Sequence, residues 1–187
     1  MINMLKVLVA VFILIMIIAF AVLGKKTGKF FQFQTAKGKE ESAVIMWIAA
    51  ALTAGVSLMN YIANKPEPST MKLIGLYIFF MGGIIQITTK KTILTMHEEA
   101  LKQNFHKATT MRLFDRVRHP SKTALFCMVL GTSLTLGSAW GTVMAIALFL
   151  PALLFRISQE ETILLDEFGN RYYDYQDETK KILPFIL

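Results

Sequence analysis

Apolar residues in this chain fall into long blocks separated by short polar segments, and this pattern predicts membrane-spanning helices. A helix needs about 20 mostly apolar residues to cross a bilayer. Blocks at residues 5–23, 43–63 and 73–89 approach or meet that length. A proline-rich segment at residues 64–68 ends the second block, because proline cannot continue a helix. The pattern therefore predicts three spans in the first half of the chain.

The first block shares some features with a secretory signal peptide, since Lys6 lies at its start and an Ala-Phe-Ala triplet lies at residues 19–21. Its apolar run is longer than a typical signal core, however. Lys25 and Lys26 follow it and are typical of residues that stop transfer of the chain through the membrane. We therefore interpret this block as a retained first span.

The apolar stretch that follows residue 122 is too long for a single span. Its middle, Gly-Ser-Ala-Trp-Gly at residues 137–141, contains two glycines that favour a turn. We therefore expect two further spans, at about residues 122–136 and 140–156, that form a tight helical hairpin. The tryptophan of the turn suits the far membrane interface.

Basic residues are concentrated in three polar segments: the one after the first span, the one after the third span, and the C-terminal tail. With five spans all three lie on one side of the membrane, and the positive-inside rule makes that side cytoplasmic. We therefore expect the N-terminus outside and the C-terminus in the cytoplasm of a bacterial or archaeal plasma membrane. The basic residues after the third span are Lys90, Lys91, Lys102, Lys107, Arg112, Arg116, Arg118 and Lys122.

Together these observations predict an all-α membrane protein that forms a single integral membrane domain over residues 1–187. It has about five transmembrane helices, the last two a helical hairpin, and a cytoplasmic amphipathic C-terminal tail. In that tail, apolar residues recur at helical spacing up to Gly169, which can end a helix. The segment 182–186, after two lysines, is suited to rest on the cytoplasmic leaflet.

Composition narrows the classes of function. The net charge is +7, and a basic balance can indicate nucleic acid. Here the lysines flank membrane spans, so we expect membrane lipids and no nucleic acid as partners. The single cysteine, Cys127, and three histidines without an HExxH spacing predict no metal site.

The segment Arg118-His119-Pro120 precedes the predicted fourth span. Proline suits the first turn of a helix, which puts His119 near the N-cap. The free N–H groups and positive dipole end of a helix start favour an anion, such as a carboxylate. The alternative is an interfacial Arg-His pair that contacts lipid phosphate.

Arg156, Glu160 and Glu161 lie just after the predicted fifth span. Arg156 and Glu160 are four residues apart and so share a helix face. A carboxylate at this depth is costly unless it faces protein or a water-filled cavity. Glu160 is therefore a candidate ligand-binding acid, and Arg156 a candidate for holding an acidic acceptor group. The alternative is a surface pair at a membrane exit.

Two further motifs follow in the tail, Phe168-Gly169-x-x-Tyr172-x-x-Tyr175 and Leu183-Pro184-Phe185-Ile186. In combination with the Arg-His-Pro segment and the Glu-Glu pair, their order and spacing resemble the isoprenylcysteine carboxyl methyltransferase family and its phospholipid methyltransferase relatives. The resemblance covers roughly residues 97–187, which we take as the cofactor-binding region. Taken alone, the tyrosines would suit an interfacial aromatic belt.

The resemblance implies S-adenosylmethionine as cofactor and a prenylated or lipid-like small molecule or peptide as methyl acceptor. It places Arg156 on the acceptor side. The positions that it implies for cofactor binding are His119, Pro120, Ser121, Lys122, Glu160, Phe114, His106 and Glu99.

The chain departs from the family pattern at several of these positions. The family continues Arg-His-Pro-x-Tyr-x-Gly, where this chain has Lys122 and Ala124. A preceding Gly-x-Tyr is replaced by Arg112-Leu113-Phe114. These departures leave open a catalytically degenerate membrane interaction protein on the same scaffold. A second alternative is a nicotinamide-dependent membrane reductase, because membrane sterol reductases share a related C-terminal half.

Overall fold

A computed structural model describes residues 39–64, 66, 69–101 and 117–182. Within these ranges the chain is helical and has no strand beyond one isolated bridge. The elements are α1 (Lys39–Asn64), α2 (Thr70–Leu101), α3 (Pro120–Thr135), α4 (Ala139–Met144), a π-helical turn (Ala145–Phe149), α5 (Leu150–Phe168) and α6 (Asn170–Glu178).

Three stretches of the described helices are long and apolar enough to cross a membrane, and each contains one of the predicted spans. Helix α3 has 16 residues, or about 24 Å of helix, which is shorter than the roughly 30 Å of a hydrocarbon core. The predicted span at residues 5–23 lies outside the described residues, so the count of five stays a prediction. The three stretches are Glu41–Asn64, Thr70–Thr92 and Ala139–Asp166.

Helix α2 runs beyond the third predicted span, which was expected to end at residue 89. It continues to Leu101 as regular α-helix. No glycine or proline occurs between residues 84 and 119, so nothing in the local sequence stops the helix where the charged residues begin. The lysines after residue 89 therefore start on a helix rather than in a loop.

The predicted break between the last two spans is present as a turn at residues 136–138. Gly137 has a φ of 65°, a left-handed conformation that favours glycine. Ser138 then caps α4, since its hydroxyl accepts a hydrogen bond from the backbone N–H of Gly141 at 3.0 Å. The turn reverses the chain between α3 and α4, as the hairpin prediction required.

Helices α4 and α5 are joined through the π-helical turn. Leu150 donates its backbone N–H to the carbonyl of Ala145, five residues earlier. Pro151 follows directly, and its missing N–H and bulky ring disfavour ordinary α-helical bonding over the preceding turn. The wider turn accommodates the proline and keeps the helical path continuous, so that α5 carries Arg156 and Glu160 on one face.

Close packing of α2 against α3 depends on small residues. A Cβ at Gly131 would lie 2.6 Å from the backbone nitrogen of Phe79, and one at Gly75 would lie 2.5 Å from that of Thr135. A Cβ at Gly82 would lie 2.8 Å from the carbonyl oxygen of Ala124. The two helices therefore touch along their backbones, antiparallel.

The apolar core lies between α1, α3, α5 and the residue Ile182 near the C-terminus. Many large apolar side chains on α1, α2 and α4 instead face outward, as expected for surfaces in contact with lipid. The chain is an integral membrane protein. Its buried core residues are Met46, Ala49, Ala50, Phe149, Ala152, Leu153, Ile157 and Ile182.

Candidate functional site

Three segments that are distant in sequence meet at one end of the helices. They are the start of α3, the middle of α5 and the residues after α6. Their charged side chains form a connected group, called here the polar cluster. Its members are Arg118, His119, Lys122, Arg156, Glu160, Glu161 and Lys181.

The C-terminal segment 179–182 is tied to the start of α3 by backbone hydrogen bonds. Arg118 donates its N–H to the carbonyl of Lys180 at 2.7 Å, and His119 donates to that of Lys181 at 3.2 Å. The hydroxyl of Thr123 donates to the carbonyl of Ile182 at 2.7 Å. We call residues 179–182 the C-terminal strap.

The strap differs from the expectation that residues 182–186 rest on the leaflet. Ile182 is 2% exposed and belongs to the core, because the backbone pairing of the strap carries its side chain between the helices. Residues 183–186 lie outside the described residues.

Glu160 is held by two cations that share one of its oxygens. Lys122 Nζ and Arg156 Nε each donate to Glu160 Oε1 at 2.8 Å. Its other oxygen lies 3.8 Å from His119 Nδ1. The carboxylate is 12% exposed, so these charges interact with little solvent screening. The i,i+4 spacing predicted the pairing with Arg156, whereas the contact with Lys122 joins α3 to α5.

Glu161 receives a second set of cations. Arg118 Nε donates to its Oε1 at 3.0 Å, and Lys181 Nζ lies 3.0 Å from its Oε2. The same Arg118 donates through its terminal nitrogen to the carbonyls of Gln176 and Thr179, both at 2.6 Å. Arg118 therefore links α5, the end of α6 and the strap, which fixes the geometry of the cluster.

Arg156 is the most buried charge of the cluster, with 1% of its side chain exposed. Besides Glu160, it donates to the hydroxyl of Ser42 at 2.9 Å. Ser42 lies near the start of α1, 114 residues away in sequence. The arginine predicted to position an acceptor therefore already has partners inside the protein, and that role stays a prediction.

His119 lies between the two carboxylates. It is the N-cap residue of α3 and Pro120 occupies the first turn, as the sequence predicted. The imidazole is 9% exposed, and its Nε2 lies 3.4 Å from Glu161 Oε1. Among the described residues Nε2 has no hydrogen-bond partner. Its nearest acceptor is therefore Glu161 at a long distance, and the buried position between two carboxylates makes His119 a candidate ligand contact.

The balance of charge in the polar cluster is positive. Four cationic side chains face two carboxylates, apart from the imidazole of His119. The amino-terminal end of α3 adds the positive end of a helix dipole. The cluster can therefore accept an anionic group while its carboxylates bind a cation or hydroxyl groups.

Two residues beside the cluster carry no recognisable signal in the sequence. Gln86 of α2 accepts a hydrogen bond from the hydroxyl of Ser121 at 3.0 Å, so Ser121 already faces a polar neighbour. Ser42 contacts Arg156 as described above. Gln86 lies within the apolar part of α2 and Ser42 at the polar start of α1, and only the packing of the helices reveals their partners.

Tyr172, in the aromatic motif of the tail, is buried beside the cluster. Burial, followed by the negative charge of Glu161, raises the pKa of Tyr172 to about 12. Its hydroxyl therefore stays protonated at physiological pH. The preceding Gly169, with a φ of 56°, ends α5 as predicted.

Three of the predicted cofactor contacts are not located. Phe114 and His106 lie outside the described residues, and so does the side chain of Glu99, whose backbone belongs to α2. The described part of the chain contains no group of three or more His, Cys, Asp or Glu side chains suited to a metal ion.

Comparison with protein families shows which family the chain belongs to. The sequence model of the phospholipid methyltransferase family matches residues 70–171, more than half of the chain. The chain belongs to the phospholipid methyltransferase family. The match includes α2, α3 and α5. It therefore contains Glu160 and Glu161 of the polar cluster and the start of α3, which faces them.

A curated relative supports the same family. The protein-S-isoprenylcysteine O-methyltransferase of Schizosaccharomyces pombe is 32% identical over 91 residues. The aligned part covers 48% of this chain and 39% of the relative, so the match extends over less than half of either protein.

Proposed function

We propose that the chain transfers a methyl group from S-adenosylmethionine to a lipophilic acceptor at the cytoplasmic face of the membrane. The acceptor group is a carboxylate or another group on a prenylated or lipid-like molecule. In this proposal the chain is a single membrane domain with its N-terminus outside and its C-terminus in the cytoplasm of a bacterial or archaeal plasma membrane. Residues 97–187 bind the cofactor.

The observation that carries the proposal is the meeting of the Arg-His-Pro segment with the Glu-Glu pair. Arg118 and Glu161 form an ion pair at 3.0 Å although 43 residues separate them in sequence. Lys122 and Glu160 do the same at 2.8 Å. These motifs belong to the family-matched region, and their association creates a buried polar site at the end of apolar helices.

The chemistry of the cluster fits the proposed cofactor. S-adenosylmethionine carries a carboxylate, an ammonium and ribose hydroxyls, and when bound it supplies an electrophilic methyl group on its sulfonium. Glu160 is suited to the ammonium or the hydroxyls. The imidazole of His119 and the start of α3 with Pro120 and Ser121 are suited to an oxygen ligand. Lys122 would border the same site.

The remaining work of the protein is to align the acceptor and exclude water. The cationic balance of the cluster favours an acceptor with an acidic group, since a carboxylate is already nucleophilic and needs no general base. Arg156, whose guanidinium lies behind Glu160, is the residue proposed to position that group. The apolar tail of the acceptor would lie along the outward-facing apolar helices.

The proposal is tested by methyl transfer with the detergent-purified protein. We would incubate it with methyl-tritiated S-adenosylmethionine and, separately, a farnesylcysteine carboxylic acid or phosphatidylethanolamine. Organic-extractable label that alkali releases as volatile methanol identifies a carboxyl methyl ester. Label that resists alkali identifies transfer to an amine.

We expect alkali-labile label with the carboxylic acid, and none with its pre-formed methyl ester as matched control. An intact protein that labels neither acceptor and does not bind S-adenosylhomocysteine would refute the proposal. A Glu160→Gln variant serves as the protein control because it keeps an oxygen for Lys122 and Arg156 while removing the negative charge.

One observation favours a second candidate, a catalytically degenerate membrane interaction protein on the same scaffold. Glu160 already has two cationic partners on one oxygen, and Lys122 stands where the family has a tyrosine. A carboxylate that already pairs with a lysine of the same chain is expected to bind a cationic cofactor less tightly. Absence of cofactor binding by a folded protein would favour this candidate.

A further inference from the structure

One face of α1 is buried along the helix and carries two serines near its opposite ends. Ser42 is 1% exposed and Ser57 is 0% exposed. Ser42 accepts a hydrogen bond from Arg156 Nη1 of α5 at 2.9 Å. At the other end, Gly141 of α4 lies so close to Ser57 that a Cβ there would overlap the serine hydroxyl. Because the separation in sequence is the same on both sides, α1 runs antiparallel to α4 and α5 and places Ser42 at the polar cluster.

Ser42 and Glu160 hold the Arg156 guanidinium from two directions. Arg156 Nε donates to Glu160 Oε1 at 2.8 Å within α5, and Nη1 donates to Ser42 Oγ across the interface with α1. The guanidinium is a rigid plane, so hydrogen bonds at two of its nitrogens fix how the plane is rotated. The bond to Glu160 lies within one helix, whereas the bond to Ser42 ties the plane to a second helix. The direction in which Nε donates therefore depends on α1.

The position of the Glu160 carboxylate depends in turn on Arg156. Lys122 Nζ and Arg156 Nε donate to the same oxygen, Oε1, each at 2.8 Å. The ammonium of a lysine rotates on a flexible stem and can follow the carboxylate, whereas an arginine donates from a fixed plane. Arg156 is also the more buried of the two, at 1% exposed against 18% for Lys122. Arg156 therefore sets where the carboxylate lies, and Ser42 helps to fix Arg156.

We propose that Ser42 is a positioning residue of the cofactor site. It orients Arg156, which holds the Glu160 carboxylate in the geometry that binds the cofactor. This role rests on the proposed function, in which Glu160 binds the ammonium or the ribose hydroxyls of S-adenosylmethionine. A hydrogen bond weakens steeply when its angle is poor, so a displaced carboxylate binds less tightly. Ser42 lies outside residues 70–171, so α1 adds to the site a contact from outside the family-matched region.

The test is calorimetric titration of the full-length protein in detergent with S-adenosylhomocysteine. Ser42→Ala removes the acceptor of the Arg156 bond. Ser42→Cys keeps the size of the side chain but offers only a weak acceptor, and it replaces the alanine variant if that variant does not fold. Ser42→Thr keeps the hydroxyl. Ser57→Ala is the matched control, since Ser57 is a similarly buried serine of the same helix whose hydroxyl contacts Thr53 and Ser133 instead.

We expect Ser42→Ala to weaken binding of S-adenosylhomocysteine by about three- to tenfold. The loss is smaller than that of a direct charge-assisted hydrogen bond, because the carboxylate is displaced but not removed. Ser42→Cys should weaken binding as well, and Ser42→Thr should bind like the wild type. Ser57→Ala should lower the melting temperature, but the folded protein should keep wild-type affinity, because its hydroxyl lies at the far end of α1.

A double-mutant cycle with Glu160→Ala tests whether Ser42 acts through the carboxylate. If it does, Ser42→Ala has an effect only where the carboxylate is present. The double variant should then bind within about twofold of Glu160→Ala alone. A merely structural role for Ser42 would weaken binding by the same factor in both backgrounds.

Equal affinities of the wild type and the folded Ser42→Ala or Ser42→Cys variant would overturn the inference and leave the proposed function intact. Equal weakening by Ser57→Ala would also overturn it, since the packing of α1 in general would then account for the effect. So would an undiminished effect of Ser42→Ala in the Glu160→Ala background. Failure of the wild type to bind S-adenosylhomocysteine would refute the proposed function along with the inference.

Discussion

Lys122 offers the sharpest perturbation, because its contact with Glu160 is expected to oppose cofactor binding. Its ammonium donates to Glu160 Oε1 at 2.8 Å, and the two side chains are only 18% and 12% exposed. Replacing Lys122 by glutamine removes the charge and keeps a polar side chain of similar reach. The carboxylate retains Arg156 on the same oxygen.

The expected magnitude follows from these contacts. Removing one partner of an isolated buried ion pair costs about 3–5 kcal/mol. Here the second cation remains, so the loss approaches that of one hydrogen bond to a charged group, about 1.5–3 kcal/mol. Lys122→Gln should therefore lower the free energy of unfolding of the unliganded protein by that amount.

The same interaction must be broken before a cationic part of the cofactor can bind Glu160. Its removal should therefore raise the affinity for S-adenosylmethionine by roughly ten- to a hundredfold, since each 1.4 kcal/mol is tenfold. Stability and affinity thus change in opposite directions. A merely structural role for Lys122 would lower both.

The assay is calorimetric titration with S-adenosylmethionine, paired with denaturant unfolding in the same detergent. Lys122→Arg keeps the charge and should bind like the wild type. Lys181→Gln removes one charge from the other carboxylate, but that lysine is 40% exposed, and its pair is worth at most about 1 kcal/mol. A Lys122→Gln protein with unchanged or weaker cofactor binding would refute the reasoning.

Three further predictions concern the frame of the site. Gly131→Ala should destabilise the protein in thermal melts by roughly 1–3 kcal/mol, because its Cβ would lie 2.6 Å from a backbone atom of α2. Gly83→Ala is the control, since a Cβ there would meet nothing within 4 Å, and equal melting of the two variants would contradict the close packing of α2 against α3. Arg118→Lys should speed hydrogen exchange at residues 179–182, because lysine cannot keep all of the contacts that hold the strap; unchanged exchange would remove its anchoring role. In an absorbance titration at alkaline pH, Tyr172→Phe should lose a phenolate that ionises near pH 12, and a lost signal near pH 10 would contradict the burial of that hydroxyl.

Local sequence signals predicted much of the helical frame. The length of apolar runs located the helices that contain the second, third and fifth spans. Pro120 and Gly169 marked a helix start and a helix end because their backbone preferences act locally. The sequence did not predict that α2 continues to Leu101. The chain becomes polar after residue 89, but no residue there stops a helix.

The contacts of the site were less predictable, because they join segments that have no common local pattern. The pairing of Glu160 with Arg156 follows from their i,i+4 spacing. The hydrogen bond from Arg156 to Ser42 spans 114 residues, and the pairing of Arg118 with the strap joins two loops. Such contacts depend on how the helices pack, which periodicity along one helix does not encode.

The central claim is that Glu160 and its neighbours in the polar cluster bind the cofactor. Titration of the detergent-purified protein with S-adenosylhomocysteine tests this claim most directly. We predict binding with a dissociation constant on the order of micromolar. Glu160→Gln should weaken it by about ten- to a hundredfold, the loss of one charge-assisted hydrogen bond, while the variant stays folded. Equal affinity in the wild type and a folded Glu160→Gln protein, or no binding to either, would contradict the account.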